Sequence, residues 1–170
     1  MFFQRLFVKR ICLFFICAVI CTLGACGNRS VPLPVLDFSA QVSICDDYGL
    51  KDLEAEVNST MQGAVTIKLT SPDELWGLTY KWSDGFELIY DGLHCKTQKG
   101  YMPEEAFAEA LYNVFCALSR VEQYSSFTGA VALYEGQCNS GQYKVITEKK
   151  GYIQNISIEE INLSADFTYE

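Results

Sequence analysis

From Leu36 onward, apolar and polar residues alternate along the chain. Phe38, Ala40, Val42 and Ile44 fall on one side while Ser39, Gln41 and Ser43 fall on the other, which is the period of a half-buried β-strand. Leu53, Ala55 and Val57 repeat the pattern against Glu54, Glu56 and Asn58, and Val65, Ile67 and Leu69 repeat it against Thr66, Lys68 and Thr70. Ser71-Pro72-Asp73-Glu74 has the make-up of a capping box with Pro at the first helical position, which predicts a single helical turn interrupting the sheet. Leu78, Tyr80 and Trp82 lead into Asp84-Gly85; Phe86, Leu88 and Tyr90 lead away, and Asp91-Gly92 repeats the signal one strand later. Asp-Gly between alternating runs marks a hairpin, because both central residues of the favoured turn take positive φ. Thr79 to Thr97 therefore reads as a three-stranded meander.

The segment Pro103 to Val121 changes period. Phe107, Leu111, Val114, Leu118 and Val121 recur every three or four residues, predicting an amphipathic helix of about five turns with one apolar stripe. Four more strand-like runs follow, near 127–135, 142–148, 152–158 and 161–169, separated by Gly136, Asn139-Ser140-Gly141 and Lys149-Lys150-Gly151. The expectation is a single mainly β (α+β) domain over 36–170, with about nine or ten antiparallel strands, and a sheet of that size with one apolar face curls or is covered. One helix is narrow for covering it. A strongly curved sheet, a half-barrel, is therefore expected, with the amphipathic helix on its concave face and room beside it.

Composition changes the picture at one end. The chain carries 13 Lys and Arg against 21 Asp and Glu, a net charge of −8, and 49% of it is hydrophobic. That is too apolar for a disordered chain, and the acidic balance argues against a nucleic-acid partner. Residues 1–25 stand apart, with Arg5, Lys9 and Arg10, no acid, five of the eleven Phe and three of the eight Cys. Ile11 to Ala25 is an uncharged, mostly apolar run of 15 residues, short of the ~20 that span a bilayer, so 1–25 reads as an export signal peptide.

The run ends in Leu23-Gly24-Ala25-Cys26, which resembles a bacterial lipobox: an apolar residue, two small residues that let a peptidase approach the backbone, then a nucleophilic thiol. The resemblance implies cleavage between Ala25 and Cys26 and a diacylglyceryl, palmitate-type anchor on Cys26; the alternative is an ordinary signal peptide with a chance Cys. Two or three acyl chains exceed the reversible binding of one. The expected location is therefore the extracytoplasmic face of the cell membrane, or the outer membrane where an organism has two. Residues 26–35 form the lipidated Cys and a tether stiffened by Pro32 and Pro34. Without the leader the remaining 145 residues carry a net charge of −11, which predicts that contact with anionic headgroups runs through the lipid on Cys26 alone.

The order of features from Phe38 to Tyr90 resembles the LolA/LolB-like lipoprotein-carrier superfamily. A Phe-Ser-Ala-Gln-Val first strand is followed by a second with charged outer positions, then by Gly63-x-Val65-x-Ile67-x-Leu69-x-x-Pro72 and aromatic strands with an Asp-Gly turn. The resemblance covers about half of the mature chain by motif. It implies a half-barrel with helices across its mouth that holds acyl chains. The carriers have a helix before their first strand, whereas only a tether fits between Cys26 and Leu36 here. An anchored member is more like the receiving type, or like Gram-positive envelope lipoproteins, than the soluble shuttle.

Tyr80, Trp82, Phe86 and Tyr90 crowd the Asp84-Gly85 hairpin. With Phe107 and Leu111 they are the candidates to line a concave pocket for a lipid, acyl chain or lipoprotein. The same alternation fits a core packed against the helix, and periodicity alone leaves both open. Cys45, Cys95, Cys116 and Cys138 permit two disulfides in three connectivities, and their spacings match no zinc pattern. His94, the only histidine, neighbours Cys95; consecutive strand residues face opposite ways, so it reads as a surface residue beside a core-facing Cys rather than half of a catalytic pair. With no nucleophile elbow, no catalysis, metal or cofactor is expected. The acidic pairs Asp46-Asp47, Asp73-Glu74, Glu104-Glu105 and Glu159-Glu160 read as solvated turns and helix starts rather than calcium loops. The functional expectation is a membrane-anchored, non-catalytic lipoprotein binding a hydrophobic ligand in its concavity. The alternative is a cell-envelope interaction or scaffold subunit with a filled core and an apolar or acidic patch outside.

Overall fold

A computed structural model describes residues 33–45 and 52–169. The signal peptide, Ala25, Cys26 and Asp46-Asp47 lie outside the described residues. The strands are β1 (Phe38–Cys45), β2 (Leu53–Ser59), β3 (Val65–Ser71), β4 (Thr79–Trp82), β5 (Phe86–Tyr90), β6 (Leu93–Thr97), β7 (Ser126–Phe127), β8 (Val131–Cys138), β9 (Gly141–Glu148), β10 (Ile153–Ile158) and β11 (Leu163–Thr168), with one helix, α1 (Phe107–Leu118), between β6 and β7. They form one sheet in the order β6-β5-β4-β3-β2-β1-β11-β10-β9-β8-β7, with β6 and β7 as its open edges. Every pairing is antiparallel. Two meanders, β1 to β6 and β7 to β11, thus join side by side through β1 and β11, while the α1 crossover links the two outer edges.

The alternation places the strands as expected. β1 alternates buried and exposed along its whole length, and Val42, Ile44, Leu53, Ala55, Val57, Ile67 and Leu69 are each at most 2% exposed. Burying each Val, Leu or Ile side chain contributes roughly 1.5–3 kcal/mol, so one face of β1 to β3 defines the core. The strand count departs from the expectation. The run 127–135 is two strands, because Thr128-Gly129-Ala130 turns the chain, with Gly129 at φ +73°. Gly136 does not separate strands either: it lies inside β8 opposite Tyr143, whose ring occupies the space a Cβ would need.

The two Asp-Gly signals resolve differently. Asp91 and Gly92 take φ of +46° and +76° between paired Tyr90 and Leu93, the two-residue turn expected. Asp84 and Gly85 close a longer loop between Trp82 and Phe86, and neither is in the left-handed region. Gly85 is required by closeness instead, since a Cβ there would meet the Thr97 carbonyl oxygen at 2.8 Å. At Asp73–Leu75 a single 3₁₀ turn forms, but Pro72 precedes it in an extended conformation and no side chain caps it, so the capping box is absent.

α1 is shorter than predicted. Ala106 is extended (ψ 129°), which keeps Pro103-Glu104-Glu105 out of the helix, and Val121 lies beyond its end. Nor is its apolar surface one stripe: nine of its twelve residues are buried, including Ala108, Ala110, Tyr112 and Phe115 outside the predicted row. Tyr112 stacks on Trp82 of β4 at 4.9 Å, Phe115 meets Phe38 of β1 and Phe167 of β11 edge-on, and the helix also lies against β8. β4 and β8 are seven strand spacings apart in the sheet, about 34 Å if flat, whereas twelve residues of helix span ~18 Å. The sheet is therefore curved, and it is not closed.

Alternating strand directions sort the turns into two ends. The tether end carries Leu33–Asp37 and the turns at 60–64, 83–85, 98–101, 128–130 and 149–152; the far end carries those at 72–78, 91–92, 139–140 and 159–162. Val35 N–H donates to Gly151 C=O at 2.8 Å, so the last residues of the expected tether already lie on the domain. Among the described residues, no helix is long and apolar enough to cross a membrane.

Candidate functional site

Five of the six candidate pocket residues come together in one packed layer. Trp82 is 0% exposed and lies between Phe86 (centroids 5.2 Å) and Tyr112. Tyr80, half-buried, stacks on Trp82 and meets Phe107 edge-on at 5.5 Å. Leu111 is fully buried. Tyr90 is the exception: it is 40% exposed, and its hydroxyl donates to the Glu74 carbonyl at 2.6 Å. Sequence reasoning missed Tyr112, whose ring covers Trp82. It lies one position beyond Leu111, off the row that the helical period picks out.

The layer holds one acid. Glu109 of α1 is 4% exposed, and burial pushes its carboxyl pKa up; the Trp82 indole opposes this, and the charge of Glu104 adds to it. The indole and carboxyl approach without completing a hydrogen bond, so Trp82 Nε1 and Glu109 Oε2 stay unpartnered. Burial likewise raises the pKa of Tyr112 and of Tyr80.

Three clefts formed by described residues lie elsewhere. One, of about 590 Å³, opens at the tether end among Asp37, Ser39, Glu148, Tyr152, Gln154 and Thr168. One of about 230 Å³ lies between Cys45, Asp52, Glu54 and Asp166, and one of about 50 Å³ between Leu36, Met61, Phe115 and Cys116. None is lined by Tyr80, Trp82, Phe86, Tyr90, Phe107 or Leu111.

What reaches the surface is a corner at the far end. Trp76, Tyr90 and Leu93 are 64%, 40% and 75% exposed, with Asp73, Glu74 and Asp91 in the turns beside them. The bond from Tyr90 to Glu74 ties the 3₁₀ turn to β5, and Lys68 Nζ stands 5.7 Å over the Trp76 ring. This gathers an aromatic and acidic surface from two turns that are apart in sequence.

Cys45, Cys95, Cys116 and Cys138 are all free thiols, on β1, β6, α1 and β8, so none of the three pairings is formed. Cys95 is exposed rather than core-facing. Its side points the same way as Phe86 and Leu88, but β6 is an edge strand that α1 does not cover. His94 Nδ1 lies 2.9 Å from Glu87 Oε1, and Lys96 Nζ 3.5 Å from the same oxygen, which lowers the Glu87 pKa, His94 contributing most. Among the described residues no three His, Cys, Asp or Glu side chains cluster as metal ligands. No protein-family model and no curated protein matches the chain.

Proposed function

We propose that the protein is a bacterial envelope lipoprotein, exported and lipidated at Cys26, that acts without catalysis as an interaction subunit on the extracytoplasmic face of the membrane. In this reading α1 occupies the concave face of a LolA/LolB-like half-barrel and fills it, and a protein partner meets the exterior. The observation that carries it is Trp82, enclosed between Phe86 and Tyr112 with no exposed area, where a ligand-holding pocket would leave its aromatic wall open. The exposed Trp76, Tyr90 and Leu93 among carboxylates supply an outer surface suited to a basic partner, since aromatic anchors dominate interface energetics.

The test is a photo-reactive side chain at position 76 or 93 in cells. A discrete adduct lost with Asp73→Lys/Glu74→Lys supports the reading; no adduct at either position overturns it. A second reading, a lipid or acyl chain beneath a movable α1, is favoured by the two unpartnered polar atoms of Trp82 and Glu109, which weaken that contact. Native mass spectrometry of gently extracted protein carrying a stoichiometric lipid besides its anchor would decide for it.

A further inference from the structure

The turns of the sheet are sorted by charge, and the sorting follows the point where the tether joins. Against the expectation of contact through the lipid on Cys26 alone, we propose that the tether end is a membrane-docking face that seats on anionic phospholipid headgroups and holds the far end in water. This deepens the anchoring proposed above and rests on it. The tether-end turns present exposed Lys99, Lys149 and Lys150 against Asp37 and Asp84; near the same end Lys81 and Lys96 stand on β4 and β6 with Glu87 of β5 between them, and Glu148 ends β9, so lysines only just outnumber carboxylates there. The described far-end turns hold Asp73, Glu74, Asp91, Glu159 and Glu160 with no Lys or Arg, and Asp52 precedes β2 there; only Lys144 of β9, paired with Glu159, and Lys68 of β3, over the Trp76 ring, reach these turns from the strands. Leu33 and Met61, 52% and 83% exposed, project at the tether end. Exposed apolar residues occur at the far end too, but there carboxylates surround them, and an anionic surface repels these. Lysines around an exposed apolar tip suit a headgroup layer, with ammonium groups on phosphates and the tip at the acyl boundary.

Chain length selects the bilayer as the occupant. Leu33 is seven residues on from Cys26, at most roughly 25 Å of extended backbone. The eight-residue strands β1, β8 and β9 separate the ends by about 26 Å. A lipidated Cys26 therefore holds the tether end close to the surface, and bringing the far end down would need the whole tether laid along the sheet. Surface potential decays within a Debye length, ~8 Å at physiological salt, so only the end inside that layer feels it. The five carboxylates of the described far-end turns sit outside it.

The experiment uses the full chain, processed in a bacterial host and reconstituted into vesicles of acyl-brominated phosphatidylcholine with or without phosphatidylglycerol. In Met61→Trp protein with phosphatidylglycerol, the added emission is expected to be quenched at least about twofold, while native Trp76 at the far end is not. Omitting phosphatidylglycerol, adding Lys149→Glu/Lys150→Glu, or raising salt to about 0.5 M removes the quenching. Quenching indifferent to both lysines and lipid charge, or stronger at Trp76, overturns the proposal. The mass of the N-terminal peptide separates the two readings. An unmodified Cys26 overturns the anchor and this face with it; a lipidated Cys26 with lysine-indifferent quenching overturns the face alone.

Discussion

Trp82 separates a pocket from a core by the cost of its removal. Enclosed by Phe86 and Tyr112 with no exposed area, it should behave as a core residue, and Trp82→Ala is expected to cost ~3–5 kcal/mol in urea unfolding. Tyr90→Ala, at a partly exposed site, should cost about 1 kcal/mol or less; similar small losses at both would mark the layer as an open wall. Glu109 gives a pH signature. Its folded pKa is raised, so between its unfolded and folded values the native state holds more protons than the unfolded one, and stability falls as pH rises through that window. Glu109→Gln is therefore expected to unfold at a higher temperature than the native protein at neutral pH, and the gap should close as pH drops below the usual carboxylate range. A gap that persists or grows in acid would show that the carboxylate is held by favourable contacts. The core reading of Trp82 was one of two the sequence left open, whereas the Glu109 effect was not legible at all, because Glu109 sits where a helical period predicts a solvated position.

Among elements, the hairpins give the clearest contrast. Gly92 is required by its backbone angle and Gly85 by the Thr97 carbonyl oxygen 2.8 Å from where a Cβ would stand. Gly92→Ala is expected to cost ~1–2 kcal/mol, with Asn recovering much of it because Asn visits the left-handed region. Gly85→Asn should be at least as damaging as Gly85→Ala, since both carry the offending atom; equal rescue by Asn at the two sites would contradict this. β1 to β5 were legible because a sheet with one wet face writes its pleat directly into alternation, and β6, exposed along nearly its whole length, was legible from the Asp91-Gly92 turn before it. The β7–β8 division was not, since a two-residue strand is too short to show a period. The helix was overextended because Pro103-Glu104-Glu105 has a helix-start composition while Ala106 keeps an extended angle. Cys95 was assigned to the core because alternation reports which side of a strand a residue takes, not whether anything covers that side.

At the scale of the molecule, five of the six candidate pocket residues were found as neighbours, and none of the six lines the three clefts described above. Which aromatics share a face follows from period two; whether α1 closes on them depends on Tyr112 and Phe115, which reach β4, β1 and β11 across long sequence separations. The same separations govern β1, which lies between β2 and β11 at the middle of the sheet, where Val42 pairs with Phe167. A chain stopped before Leu163 is expected to lose cooperative unfolding altogether, as measured by urea titration, because it leaves two meanders with no strand between them. A sharp transition at undiminished midpoint would show that each meander folds alone. That adjacency also sets a timetable. Val42 waits for Phe167 before its second neighbour exists, so nearly the whole domain must have left the ribosome before the two halves of the sheet can join. Contacts so distant in sequence form slowly, and under the export proposed above a slow-folding chain would stay thin enough to thread a translocation pore.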